Sequence, residues 1–136
     1  MEKQRFPTNA ADRSGTQETP VGPYRLSVEH REVSEDGGLT IHVFGPKDGN
    51  DEELLRFDCF RKTPHYHLGL SYRDAPHIEI DDPDPFNWSL SLLASSFETL
   101  LQDAGADSTE RNAWEIELAP ALEVLRREAA SLTPEK

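Results

Sequence analysis

The sequence predicts an α+β domain: an antiparallel β-meander of about five strands covered on one face by two C-terminal helices. Three observations carry this expectation. Short runs of alternating apolar and polar residues follow one another from Pro23 to Asp81, separated by turn-forming residues. Behind them, apolar residues recur at spacings of three and four from Phe86 to Ala104. A second helical stripe ends near Leu132. With 136 residues in all, one compact domain is the natural expectation.

Residues 1–22 read as a polar N-terminal tail, since only Phe6 and Val21 offer bulky apolar surface. Such a segment orders only against its own domain or a partner surface. The domain proper is expected from residue 23 to 136. Tyr24, Leu26 and Val28 alternate with Arg25, Ser27 and Glu29, the period of a half-buried strand. Ser34–Gly38 (SEDGG) reads as a hairpin turn, followed by a strand from Leu39 to Phe44. GPKDGND forms the next turn and Leu54–Phe60 (LLRFDCF) the third strand. RKTP then turns into His65–Tyr72 (HYHLGLSY), and His77–Asp81 (HIEID) supplies a short fifth strand. Short connections of this kind join neighbours in an antiparallel sheet.

Asp82 or Asp84 suits the N-cap of the first helix, and Pro85 its first position, where a missing N–H costs nothing. Phe86, Leu90, Leu93, Phe97, Leu100 and Ala104 form one apolar stripe, and Gly105 suits the C-terminal end. Positions 113–118 fit strand and helix equally well. Because proline inside a helix costs about 3 kcal/mol, the second helix is expected to run from Pro120 to Leu132.

Composition excludes several function classes. The chain has 26 acidic against 14 basic side chains and a formal charge of -12. Nucleic acid and anionic membrane surfaces are disfavoured partners, because both require a basic face. No apolar run of about 18 residues exists to span a bilayer. The start has no apolar signal-peptide core, so a cytoplasmic location is expected. A single cysteine, Cys59, excludes an internal disulfide framework and a four-cysteine zinc site.

The chemistry concentrates in Pro64-His-Tyr-His67. Residues two apart on a strand share a face, so His65 and His67 project together while Tyr66 points the other way. The same phase count puts His42, Arg56, Asp58 and His77 on the histidine side, and Leu55, Phe57 and Cys59 on the core side. His65 and His67 with His77 or Asp58 would supply three ligands to zinc or another divalent metal. The cupin-type continuation, a glutamate shortly after the second histidine, is missing, as LGLSYRD follows His67. Without metal, the histidines would instead be satisfied by Asp58 or by backbone carbonyls. His42 and Arg56, together with Tyr66 and Trp88, are candidates for an interface or a polar sheet face. Cys59, on the core side, reads as a buried structural thiol. The acidic residues Glu79, Asp81, Asp82 and Asp84 suit helix capping better than cation binding. No P-loop, GxGxxG, GxSxG or HExxH is present, and no catalytic residue can be singled out.

The segment Phe57-Asp-Cys-Phe60 with Pro64-His-Tyr-His67, leading into an acidic turn and a Trp-Ser-Leu helix, resembles a signature of small uncharacterised bacterial proteins over residues 54–105. In size, and in having no visible catalytic motif, the chain is similar to small accessory subunits of acetophenone-carboxylase and hydantoinase-type complexes. That likeness implies a subunit of a larger enzyme complex and carries over no site residues. The leading expectation is therefore a small cytoplasmic accessory or partner-binding protein without autonomous catalysis, with a protein partner. The alternative is a metal-binding protein or small metal-dependent enzyme with a site centred on His65 and His67. A third possibility is a small-molecule pocket between sheet and helices.

Overall fold

The computed structural model describes residues 17–33, 35–70 and 77–132. Most of the expected tail, part of the first hairpin turn and the end of the expected His65–Tyr72 strand lie outside the described residues. The fold is an open antiparallel sheet of six strands with two helices on one face. The strands are β1 (Thr19–Val21), β2 (Tyr24–Val33), β3 (Asp36–Lys47), β4 (Asn50–Phe60), β5 (His65–Leu68) and β6 (His77–Glu79), and their spatial order is their chain order. The helices are α1 (Pro85–Asp103) and α2 (Glu115–Leu132), preceded by a 3₁₀ turn at Arg111–Ala113.

The α+β meander is as expected, with one strand more. Thr19–Val21, inside the segment expected to be tail, pairs with Tyr24–Leu26 across a two-residue turn. Val21 is fully buried and joins the core, an anchor strong enough to order a three-residue edge strand. Gly22 in that turn adopts φ +59°, and a Cβ there would lie 2.3 Å from the Ala113 carbonyl oxygen. The β3–β4 hairpin turns on Asp48-Gly49, both at positive φ, in the geometry that matches strand twist.

The core fills the space between sheet and helices. α1 packs on β4 and β5, and α2 on β1 and β2. Asp84 caps α1 by accepting from the Asn87 N–H, and Pro85 takes the first turn. Buried Leu90, Leu93, Phe97 and Leu100 face the sheet as the stripe predicts. The helix is kinked at Ser96 (φ -137°, ψ 27°), a feature that the unbroken stripe conceals; paired serines are a familiar cause of such kinks. Trp88 and Leu92 widen the buried face: the Trp88 ring meets Tyr66 at a tilt, with centroids 5.8 Å apart, and Leu92 packs on the core.

The second helix corrects the expected boundary. It starts at Glu115, so 113–118 contains no strand and Pro120 lies inside the helix. Trp114 explains the difference. It is buried against Phe97 with ring centroids 4.9 Å apart and begins the stripe Leu118, Ala121, Leu122, Leu125, Ala129. Burial of that stripe outweighs one missing hydrogen bond. The carbonyl left without a donor belongs to Ile116, which is 85% exposed, so water can satisfy it. No helix among the described residues is long and apolar enough to cross a membrane.

Candidate metal centre

The sheet face away from the helices is polar, and strand register arranges it in two rows. One row runs Ser27, His42, Arg56, His67, His77 across β2 to β6; the other runs Glu29, Thr40, Asp58, His65, Glu79. The phase argument thus places all four histidines, Arg56 and Asp58 together. The rows divide into two networks.

The first centres on His42, which is 2% exposed. Its Nδ1 lies 2.5 Å from Glu53 Oε2 and its Nε2 lies 2.6 Å from Glu29 Oε2. Arg56 donates to both Glu53 oxygens, from Nε at 2.9 Å and from a terminal nitrogen at 2.6 Å. Burial disfavours the imidazolium, but hydrogen bonds to Glu29 and Glu53 and their charges outweigh it and raise the His42 pKa. Against the effect of burial, hydrogen bonds from His42 and Arg56 and their charges hold the Glu53 carboxyl below its ordinary value. His42 and Arg56 are therefore members of a buried ion-pair network on the polar sheet face.

Glu53 reaches this face through a bulge. Val43 pairs with Leu55 but Phe44 with Glu53, so Leu54 is one residue extra in β4. Leu54 and Leu55 both enter the core, and the alternation reverses before them. Strict alternation from Asp58 would have placed Glu53 among the apolar residues, and no local signal marks the bulge. Glu29 shows the polar phase of β2, but its pairing with His42 follows only from register.

The second network holds the metal-ligand candidates. Asp58 is 3% exposed. Its Oδ1 accepts from Thr40 Oγ1 at 2.9 Å and Arg31 at 3.0 Å. Its Oδ2 faces His65 Nε2 at 3.2 Å and His67 Nε2 at 3.5 Å. One donor atom from each of Asp58, His65 and His67 lies within 4.8 Å of the others, the one such His/Cys/Asp/Glu trio among the described residues. Tetrahedral zinc with bonds of about 2.0–2.1 Å separates its ligand atoms by about 3.3 Å. The two measured edges bracket that value. Hydrogen bonds from the two Nε2–H groups to Asp58 span the same distances, so an ion would replace those hydrogens with little movement. Burial alone would raise the Asp58 carboxyl, but hydrogen bonds from His65 and His67 and the charges of His65 and Arg31 hold it well below the usual carboxylate range.

A supporting shell orients His65. Its Nδ1 donates to the Thr63 carbonyl at 2.7 Å, which leaves Nε2 for Asp58 or an ion. Asp36 in turn fixes the loop that carries Thr63. Its carboxylate accepts from the N–H groups of Gly37, Lys62 and Thr63 and from Thr63 Oγ1, all at 2.8–3.0 Å. Against the opposing effect of burial, these bonds bring the Asp36 pKa down to about 2. Neither Asp36 nor Thr63 has a signature in the sequence beyond membership of a turn.

His77 stands at the rim. Its ring centroid is 4.8 Å from that of His65 and 6.0 Å from that of His67, but its nitrogens are outside the trio. Desolvation and the charges of His65 and His67 lower its pKa. A cleft of about 420 Å³ opens here, with His65 and His77 in its wall.

The remaining candidates lie elsewhere. Tyr66 and Trp88, grouped with His42 and Arg56 as candidates for an interface or a polar sheet face, are on the helix-covered side, where Tyr66 stacks on Phe57 at 5.0 Å. Cys59 is on that side too, and burial pushes its thiol up to about 12 despite a 3.6 Å contact with Ser89 Oγ. Asp82 and Asp84 serve the start of α1.

No curated protein and no solved structure matches the chain. A family profile, described as a domain of unknown function (DUF7700), matches residues 19–129. Those bounds run from the first residue of β1 to the last buried residue of α2 and take in both rows of the polar face. The chain thus belongs to the DUF7700 family.

Proposed function

We propose that the protein binds a divalent metal ion, with zinc the best match to two imidazoles and a carboxylate, through Asp58 Oδ2, His65 Nε2 and His67 Nε2. The observation that carries this reading is the convergence of three donor atoms within 4.8 Å, with two edges of tetrahedral length. The hydrogen bond from His65 to Thr63 is the supporting contact that metal-ligating histidines characteristically make. Three protein ligands leave a fourth position for water or substrate, the arrangement of catalytic rather than structural zinc. An ion there would polarise a bound oxygen and lower the pKa of bound water. Elemental analysis of the full chain purified without chelator tests the reading. One ion per chain is expected, with loss of the ion in the His65→Ala, His67→Ala double variant. Failure to retain stoichiometric metal after exposure to zinc and desalting would sink it.

A second reading, an accessory or partner-binding protein, draws support from the helix layer. α1 and α2 diverge to leave a groove of about 460 Å³ floored by Phe97, Trp114, Leu118 and Leu122. Ile116 on α2 is 85% exposed. Co-purification with the products of adjacent genes is the test: a defined complex lost on Ile116→Glu supports this role, and a lone monomer with every candidate counts against it.

A further inference from the structure

We infer that the metal centre takes an oxyanionic small ligand, a carboxylate or a phosphate, in the cleft walled by Lys62, Thr63, Pro64, His65, His77 and Glu79. This inference rests on the metal reading above and adds the chemical class of what binds there.

Charge accounting comes first. The Asp58 carboxylate is already matched by Arg31, which donates to Oδ1 at 3.0 Å. With His65 and His67 neutral as ligands, the charge of a divalent ion has no other protein counter-charge in the trio. Asp58 is 3% and His67 7% exposed, so water screens that charge poorly. A buried, cationic centre with an open position favours an anion as its fourth ligand.

The cleft meets the other requirements. Its volume of about 420 Å³ falls within the range for small-molecule sites. It adjoins the centre through His65 and His77. Lys62 is the cation in its wall, placed there by the same loop that positions His65: the Lys62 backbone N–H is bonded to Asp36 at 2.9 Å. The Asp36 carboxylate is occupied by loop donors, so Glu79 is the negative group left in the wall. An anion bridging the ion and Lys62 would sit on the one cationic spot that the cleft offers, in a chain whose net charge of -12 repels anions elsewhere. Pro64 supplies neutral surface for the rest of the ligand.

The full chain loaded with Co²⁺ provides the test, because the visible spectrum of the ion reports its fourth ligand. Sodium phosphate and sodium acetate are titrated separately, against sodium perchlorate at equal ionic strength. A saturable spectral change with phosphate, acetate or both is expected, and the more effective anion identifies the class. Lys62→Gln should weaken that anion roughly fivefold while Co²⁺ affinity is unchanged, and Lys47→Gln, away from the cleft, should leave both as they are. Bound Co²⁺ whose spectrum ignores both anions overturns this inference alone, as does full anion affinity in Lys62→Gln. Failure to take up Co²⁺ overturns the metal reading and this inference with it.

Discussion

His65 has an acceptor at each end of its ring, the Thr63 carbonyl and Asp58 Oδ2. Without an ion, only the doubly protonated ring satisfies both, which is why these contacts raise its pKa against the effect of burial. The Thr63 carbonyl is held in place by Asp36, which contacts no ligand itself. Asp36→Ala is expected to lower metal affinity roughly tenfold, the low end for loss of a supporting partner. Chelator competition measures this, and an unchanged circular-dichroism spectrum would separate it from unfolding. His42 carries a pH prediction. A group whose folded-state pKa is raised contributes stability in full below its ordinary value, about 6.5, and loses it as pH rises through the raised value. The groups facing it are Glu29 and Glu53, with Arg56 behind Glu53. The metal-free protein should therefore unfold at lower urea at pH 9 than at pH 6. In His42→Gln the difference should shrink to the shares of His65 and Cys59, and an undiminished difference would contradict the assignment.

At the scale of elements, what the sequence made legible follows from its periods. Two-residue alternation located the strands, and the same alternation put Asp58, His65 and His67 on one face before any register was known. The acidic half of the first network was hidden for two physical reasons. Leu54 reverses the phase of β4, and the pairing of Glu29 with His42 joins strands whose register a single sequence does not specify. The extra strand β1 is too short to show a period, and depends on the burial of Val21 and on Gly22 passing under Ala113. In α2 a local rule was overridden. The penalty for Pro120 favours a helix that starts there, but the burial of Trp114 and Leu118 exceeds it. Pro120→Ala restores the donor to the Ile116 carbonyl and is expected to stabilise the protein by about 1–2 kcal/mol. Equilibrium urea unfolding measures it, and a loss of stability would mean that proline's restriction of the unfolded chain dominates.

For the molecule as a whole, an ion that binds the folded chain and not the unfolded one adds stability by mass action. Zinc at a hundredfold excess over its dissociation constant should add about 2.7 kcal/mol, or roughly 10 °C in Tm for a domain of this size. Thermal melts with and without zinc check the shift, which a chelator should reverse and which the His65→Ala, His67→Ala variant should lack. The terminal strands β1 and β6 have three residues each, and Pro20 removes a donor from β1, which pairs only with Tyr24–Leu26 of the ten-residue β2.

The strand order has a consequence for how the chain reaches its fold. Each strand pairs with its neighbour in sequence, and the three donor atoms all come from positions 58 to 67, on the two arms of the β4–β5 hairpin. An ion gathering them as the chain folds would close only a short loop, at small entropic cost. The hairpin can then form before either helix docks. In such a chain a bound metal would act as a nucleus, quickening refolding with little effect on the rate of unfolding.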